Sequence, residues 1–344
     1  MLPSFEDLFL FAVAFAVPCI VIFALMPGYM RMLTSRGRLA NDVHKVGGVK
    51  VPTPAGPLLI LAIVAGEAGI YLVAESSIPL AAIAVTLVAG GVGFYDDIRG
   101  LGGIVKPLLL CFAAVPLILL EMVHQSLYNA QLYFPLFGGT GTHYIIFAIL
   151  IVAAMPVASN AFNMLDAFNG ELSGFTVIAT AALLIAIVFR AVSSSSFDYI
   201  RLAATLPLAA AALCFYFYNR YPSRIFDGDS GSLMFGALFA TLAIMGGVEI
   251  AALVAAIPAV LNSYYILSSI RGFVEHKKMA ARPTYLGEDG RLHASAAAGA
   301  PTTLVKMILT REPMRESDLV RGILMLAAFA CILSVITSGM TWFV

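Results

Sequence analysis

The segment IPLAAIAVTLVAGGVGFYDD, residues 78–97, runs for eighteen residues without a charge and then presents two adjacent carboxylates, Asp96 and Asp97. About 20 apolar residues, rising about 1.5 Å each, cover a hydrocarbon layer about 30 Å thick. The run therefore spans a bilayer and stops where its first charges stand. Nine further runs of this scale lie near 7–29, 54–74, 104–123, 143–163, 171–190, 198–218, 231–247, 249–270 and 320–342. Together they predict an all-α integral membrane protein with ten transmembrane helices, the two closest runs being divided at Gly246-Gly247. Pro116, Pro156, Pro207 and Pro258 fall inside runs and leave the count unchanged, because neighbouring groups in a membrane bundle satisfy the carbonyls a proline frees. Composition agrees: 60% hydrophobic against 12% charged residues is too little polarity to coat a water-soluble surface. Lys+Arg and Asp+Glu balance at 20 each, which excludes a nucleic-acid binder. Cys19, Cys111, Cys214 and Cys331 each sit alone in an apolar run and read as small hydrophobes, with neither disulfide nor zinc spacing.

The first run has Glu6 and Asp7 in front of it instead of basic residues and no small-residue cleavage site, so it reads as a retained helix. With ten spans, every Lys and Arg except Arg190 and Arg201 falls in the odd-numbered loops. The positive-inside bias then places those loops in the cytoplasm and both termini outside, in the plasma membrane. The longest cytoplasmic stretches are 30–53 and 271–319, while the outer loop Glu121–Thr142 lacks basic residues, is rich in aromatics and reads as an interfacial lid. No fixed-period repeat or low-complexity linker interrupts residues 1–344, which read as a single polytopic domain.

Polar groups at membrane depth are costly and usually face a cavity. Four clusters of them stand at the cytoplasmic ends of spans. Asp96-Asp97, followed by Arg99 and then Lys106, is a repelling pair that a metal or a proton would relieve, although a solvated helix end explains a lone Asp-Asp equally well. Asn160 and Asn163 share a helix face, with Asp166 one turn on and Asn169-Gly170 closing the block. These oxygens and amides suit magnesium and a planar base or sugar, but also suit helix-to-helix hydrogen bonding and a C-cap. Phe226-Asp227-Gly228-Asp229-Ser230 offers carboxylates for metal and a ring for stacking, or a turn with a helix cap. The fourth cluster, Asn41-Asp42-Val43-His44-Lys45, leads toward Pro52-Thr53-Pro54. Hard ligands beside basic residues, without a Cys/His set, point to metal-assisted phosphoryl chemistry and do not name a substrate.

In order and topology these clusters resemble the polyprenyl-phosphate N-acetylhexosamine-1-phosphate transferases, ten-span membrane enzymes with an Asp-Asp block after span three, an Asn-rich block after span five and Phe-x-Gly-Asp before span eight. Asn41 to Lys45, and Arg282-Pro283 with Gly290-Arg291-Leu292, look more like the archaeal and eukaryotic dolichyl-phosphate branch; the His-rich final loop of the bacterial enzymes is missing. The resemblance implies transfer of a sugar-1-phosphate from a UDP-N-acetylhexosamine, UDP-GlcNAc in the first instance, to a polyprenyl phosphate with release of UMP. It implies Mg2+, or Mn2+ in its place, held by Asn163 and Asp229. Asp96, Asp97 and Lys106 match the catalytic positions, Lys106 as a phosphate contact and Asp96 or Asp42 as the group that deprotonates or orients the lipid phosphate. Asn169 and Phe226 match the positions that hold uracil. The substrate contacts expected overall are Asp42, Lys45, Asn160, Asp166, Asn169, Phe226 and Arg282, with the loop 271–319 covering the sugar. Ala167 where Gly is usual, Asp227 where an apolar residue is common, and Arg282 without a fuller Arg-His-Arg pattern depart from the family and bear on the sugar. The implied partners are the UDP-sugar, the polyprenyl phosphate and membrane lipid, with no nucleic acid; a homodimer is left open.

Two rivals remain. A transporter would use Glu67, the one acid deep in a span, as a proton relay, but the acids cluster at one face and no paired broken helices are visible. A CDP-alcohol phosphotransferase would need an Asp-Gly-x-x-Ala-Arg pattern, which is absent.

Overall fold

The helix starts follow local chemistry. Ser4 caps α1 (Phe5–Ser35) in a reciprocal box with Asp7, the Asp7 N–H reaching Ser4 Oγ at 3.1 Å and the Ser4 N–H reaching Asp7 Oδ2 at 2.8 Å. Pro57 stands in the first turn of α2 (Gly56–Ala74), where its missing N–H costs nothing, and Ser76 caps α3 (Ser77–Arg99). A computed structural model of the chain describes residues 3–45, 47–125, 127–194, 198–270 and 281–343. In it α4 (Val105–Leu110), one 3-10 turn (Cys111–Ala113) and α5 (Ala114–His124) run on as one apolar stretch. There follow α6 (Tyr144–Leu165), α7 (Glu171–Ser193), α8 (Tyr199–Asn219), α9 (Gly228–Gly246), α10 (Glu249–Ala255), α11 (Ile257–Ile270), α12 (Leu304–Leu309) and α13 (Glu316–Trp342).

Among the described residues nine helices are long and apolar enough to cross a membrane, or ten spans if α10 and α11 count as one. These are the runs expected from sequence, and the break after Gly246 is real: Gly247, at φ +60°, ends α9. Two details differ. The run 249–270 is bent by 66° between α10 and α11, where Pro258 in the first turn of α11 has no N–H for the preceding turn. The chain is also not purely helical, because among the described residues three short antiparallel hairpins close its loops: β1 (Leu39–Asn41) with β2 (Lys50–Pro52), β3 (Tyr133–Phe134) with β4 (Gly138–Gly139), and β5 (Thr284–Leu286) with β6 (Leu292–Ala294). They pair backbone groups that the loops would otherwise leave open.

Burial ranks the helices. The apolar window of α9 is 83% buried and that of α1 only 22%, so α9 is the central post and α1 a peripheral one. Large apolar side chains such as Leu72 and Ile145 stand exposed on the outer helices, as a lipid-facing surface requires. The cysteines are free thiols, yet Cys19 and Cys214 meet across α1 and α8 with Sγ atoms 3.1 Å apart. Glu67 is fully buried in α2, neither of its oxygens has a hydrogen-bond partner among the described residues, and it lines none of the cavities described below.

Candidate active site

The N-terminus of α9 meets the C-terminal end of α3 and the first turn of α4. Gly100, at φ +72°, turns the chain out of α3, and Asp96 holds that turn through a hydrogen bond from the Leu101 N–H. The turn delivers Lys106, whose ammonium contacts Asp96 Oδ2 and lies 3.2 Å from Asp229 Oδ2. From α6, Asn163 Nδ2 donates to Asp229 Oδ1 at 2.5 Å and to Ser232 Oγ at 2.8 Å. Two carboxylates, a lysine and an amide from four helices thus converge. The Asp229 side chain is 32% exposed and that of Asp96 only 6%, so Asp229 is the carboxylate a ligand can reach.

These groups line a cavity of about 500 Å³, to which Asn160, Asp166 and Arg282 also contribute. Asn160 spends its amide nitrogen on Pro156 O at 2.7 Å. Pro283, Thr284, Pro301 and Thr303 wall the same space, while residues 271–280 of the expected covering loop lie outside the described residues. A smaller cavity of about 270 Å³ holds Phe226, Asp227, Asp42 and Asn169. The two share Val43, His44 and the run Asp166 to Phe168 as a common wall, in which His44 stacks on Phe168 with ring centroids 4.3 Å apart.

Several expected contacts already have protein partners. Asp97 lines neither cavity: it accepts from the Asp229 N–H at 2.8 Å, the Ser230 N–H at 3.0 Å and the Ser230 hydroxyl at 2.6 Å. Lys45 also lines neither, because its ammonium is bound to Asp42 Oδ2 at 2.6 Å and to Asn169 Oδ1 at 3.2 Å. Asn169 is 3% exposed, and its amide is spread over Lys45, Asp42, the Ser223 N–H and Glu316. It therefore builds the wall of the smaller cavity more than it offers free polar groups.

Charge follows the same division. Burial alone would raise Asp42, but hydrogen bonds from Lys45 and Asn169 outweigh it and bring its pKa below the usual value, which makes it a weak base. Burial pushes His44 down to about 4, so the ring in the shared wall is neutral at physiological pH. Asp227 is raised by burial to about 6, and Asp166 stands well above the carboxylate range, through burial first and then the charge of Asp227.

Sequence reasoning missed Glu316, Asn262 and Asn219. Glu316, in the first turn of α13, accepts from the Asn169 N–H at 3.0 Å. Asn262 ties Met164 O (2.8 Å) to the Leu304 N–H (2.9 Å), and Asn219 accepts from the Gly170 N–H at 3.1 Å and from Ser173 at 2.8 Å. For Asn262 and Asn219 the signal was an amide in or beside an apolar run.

No group of three or more His, Cys, Asp and Glu side chains with metal-site geometry occurs among the described residues. The donor chemistry still fits magnesium. Turning the Asn163 amide over would present its oxygen beside Asp229 Oδ1, and a hard cation completes its shell with water and phosphate oxygens.

Residues 79–247, which contain most of this constellation, match the family model described as glycosyl transferase family 4. A phospho-N-acetylmuramoyl-pentapeptide-transferase of Acetivibrio thermocellus is 30% identical over 249 residues, 69% of this chain and 72% of that one. The chain belongs to glycosyl transferase family 4. Other family members it resembles are a protein of Methanocaldococcus jannaschii named as a glycosyltransferase, 29% identical over 303 residues and 88% of each chain, and one of Saccharolobus solfataricus. The latter is named as a UDP-N-acetylglucosamine–dolichyl-phosphate N-acetylglucosaminephosphotransferase and is 30% identical over 227 residues, 65% of this chain and 67% of that one. Membership makes this multi-pass membrane protein an enzyme of the polyprenyl-phosphate sugar-1-phosphate transferase type and sets the transporter aside.

Proposed function

We propose that the chain transfers GlcNAc-1-phosphate from UDP-GlcNAc to a polyprenyl or dolichyl phosphate, releasing UMP, as the first step of lipid-linked glycan synthesis. The observation that carries this is Lys106 held between Asp96 and Asp229, beside Asn163, in a cavity that adjoins a second one containing Phe226. The smaller cavity takes the uridine, with Phe226 against the base. The larger one takes the pyrophosphate and sugar, with Arg282 at its wall. Asn163 and Asp229 would hold magnesium, which when bound would supply charge neutralisation on the pyrophosphate.

Lys106 is poised by Asp96 to meet negative charge that develops on the phosphates in the transition state. The lipid phosphate is itself largely ionised near neutral pH, and both Asp42 and Asp96 are paired with lysines, so positioning contributes more than proton abstraction. The lipid phosphate attacks the β-phosphorus directly, its oxygen forming the new P–O bond as the bond to UMP breaks. The placement of 18 of the 20 basic residues supports a cytoplasmic face for this end of the bundle and both termini outside, in the plasma membrane.

UMP release by the purified protein tests this, given UDP-GlcNAc with and without polyprenyl phosphate and Mg2+. Release that needs both is expected. Release from another UDP-sugar alone would keep the chemistry and replace the donor, an outcome the phospho-N-acetylmuramoyl-pentapeptide-transferase relative makes worth the assay. Release from none of the donors and acceptors would overturn the reading.

A further inference from the structure

We propose that Asp97 is a positioning residue: from the end of α3 it caps the N-terminus of α9 and so sets the place of Asp229, without taking a proton from substrate. This rests on the reading of Asp229 as the metal-holding carboxylate. Helix α9 makes no side-chain cap of its own, since Asp227 at its N-cap position forms no such bond. The first N–H groups of any helix need outside acceptors. Asp97 supplies them for residues 229 and 230, and the Ser230 hydroxyl completes the use of both its oxygens.

The surrounding geometry is built around this contact. Gly228 has φ +74°, and a Cβ there would fall 2.8 Å from Asp97 Oδ1 and 2.5 Å from Pro54. A Cβ on Gly93, one turn before Asp97, would come within 2.3 Å of Asp229 O, so the α3 and α9 backbones touch at Asp229 itself. Asp229 is thus fixed at its amide by Asp97, at its carbonyl by Gly93 and at its side chain by Asn163 and Lys106. Successive helical residues point about 100° apart, which lets Asp96 serve Lys106 while its neighbour serves the backbone of α9. The adjacent pair has two separate duties.

The test uses the full-length protein in nanodiscs, with Asp97→Asn, Ser230→Ala and Asp229→Ala compared with wild type. Mn2+ binding is read directly by electron paramagnetic resonance, backbone protection at 228–231 by hydrogen–deuterium exchange, and turnover as a function of Mg2+, polyprenyl phosphate and pH. We expect Asp97→Asn to weaken Mn2+ binding and raise half-saturating Mg2+ by about tenfold, the lower end for a residue supporting a metal ligand. Ser230→Ala, which removes one of the three bonds, should move both in the same direction by less. Exchange at 228–231 should quicken in both variants, while the KM for polyprenyl phosphate and the shape of the pH profile stay as in wild type. Loss of kcat in Asp97→Asn with a missing limb in the pH profile, and with Mn2+ binding and exchange unchanged, would make Asp97 a proton acceptor and overturn the proposal. Should Asp97→Asn not fold, Ser230→Ala with wild-type Mn2+ binding and exchange overturns it equally. Wild-type Mn2+ binding by Asp229→Ala would instead remove the metal reading on which the proposal stands. Lost binding there, with none lost in the other two, would strike the positioning role alone.

Discussion

Helices α7 and α9 begin at the acid-lined cavities and end near Arg190, and the two ends of the same helices treat buried charge in opposite ways. At the far end Arg190 donates to Gly246 O at the close of α9 and lies over the rings of Tyr133 and Trp342, at 5.9 and 5.5 Å. Backbone, aromatic rings and the charge of Glu249 surround it, and it lines none of the cavities described above. At the near end Lys106 serves two carboxylates at once, Asp229 stays partly exposed, and space is left over. A cation set against backbone and rings, away from those cavities, is structure. Surplus acid facing a cavity is a site.

The largest effect that would sharpen this contrast is at the near end. Asp229→Ala and Asn163→Ala should each lower metal-dependent UMP release by about 10²- to 10³-fold, the loss typical of removing a direct electrostatic contact to the reacting group. Both should elute as folded protein in size-exclusion chromatography, and wild-type turnover in either would undo the assignment. Next comes Glu316→Ala, which leaves the Asn169 N–H without its acceptor. A lost buried hydrogen bond of about 1.5 kcal/mol corresponds to roughly a tenfold weaker hold on uridine nucleotide. Calorimetric titration with UDP checks it, with metal affinity as the quantity that should not move. Arg190→Met should reverse the pattern: stability drops by about 1–3 kcal/mol, through the unmet carbonyl at Gly246, with kcat/KM within about twofold of wild type. Thermal unfolding in detergent and a UMP assay on the same sample would break the comparison if activity fell and the midpoint did not. Smallest is Glu67→Gln, which should leave both quantities unchanged within error. Lost turnover with a normal elution profile would give that buried acid a role its surroundings do not suggest.

The spans were readable because lipid imposes a long apolar run on each helix, and even the division at Gly246-Gly247 follows from glycine at a helix end. The bend between α10 and α11 was less readable, since Pro258 alone does not say whether a membrane helix tolerates it or breaks. At the site, Asn163 and Asp229 stand together as the family resemblance implies. Asp97 is in one dimension the twin of Asp96, and only the meeting of α3 with α9 separates their partners. Lys45, a lysine beside an acid in a loop, looks available in sequence, and its pairing with Asp42 and Asn169 is seen only in the fold. Glu316 lies so far along the chain from Asn169 that no local pattern connects them.

That last distance bears on how the enzyme is made. Synthesis runs from the N-terminus, and Asp96, Lys106, Asn163 and Asp229 have all emerged before α13 exists. The acceptor for the Asn169 N–H arrives only with α13. A nascent or truncated chain ending before Glu316 would carry those four groups but leave the wall of the smaller cavity unfinished. Insertion of α13 in the bilayer therefore also completes the wall that Asn169 builds.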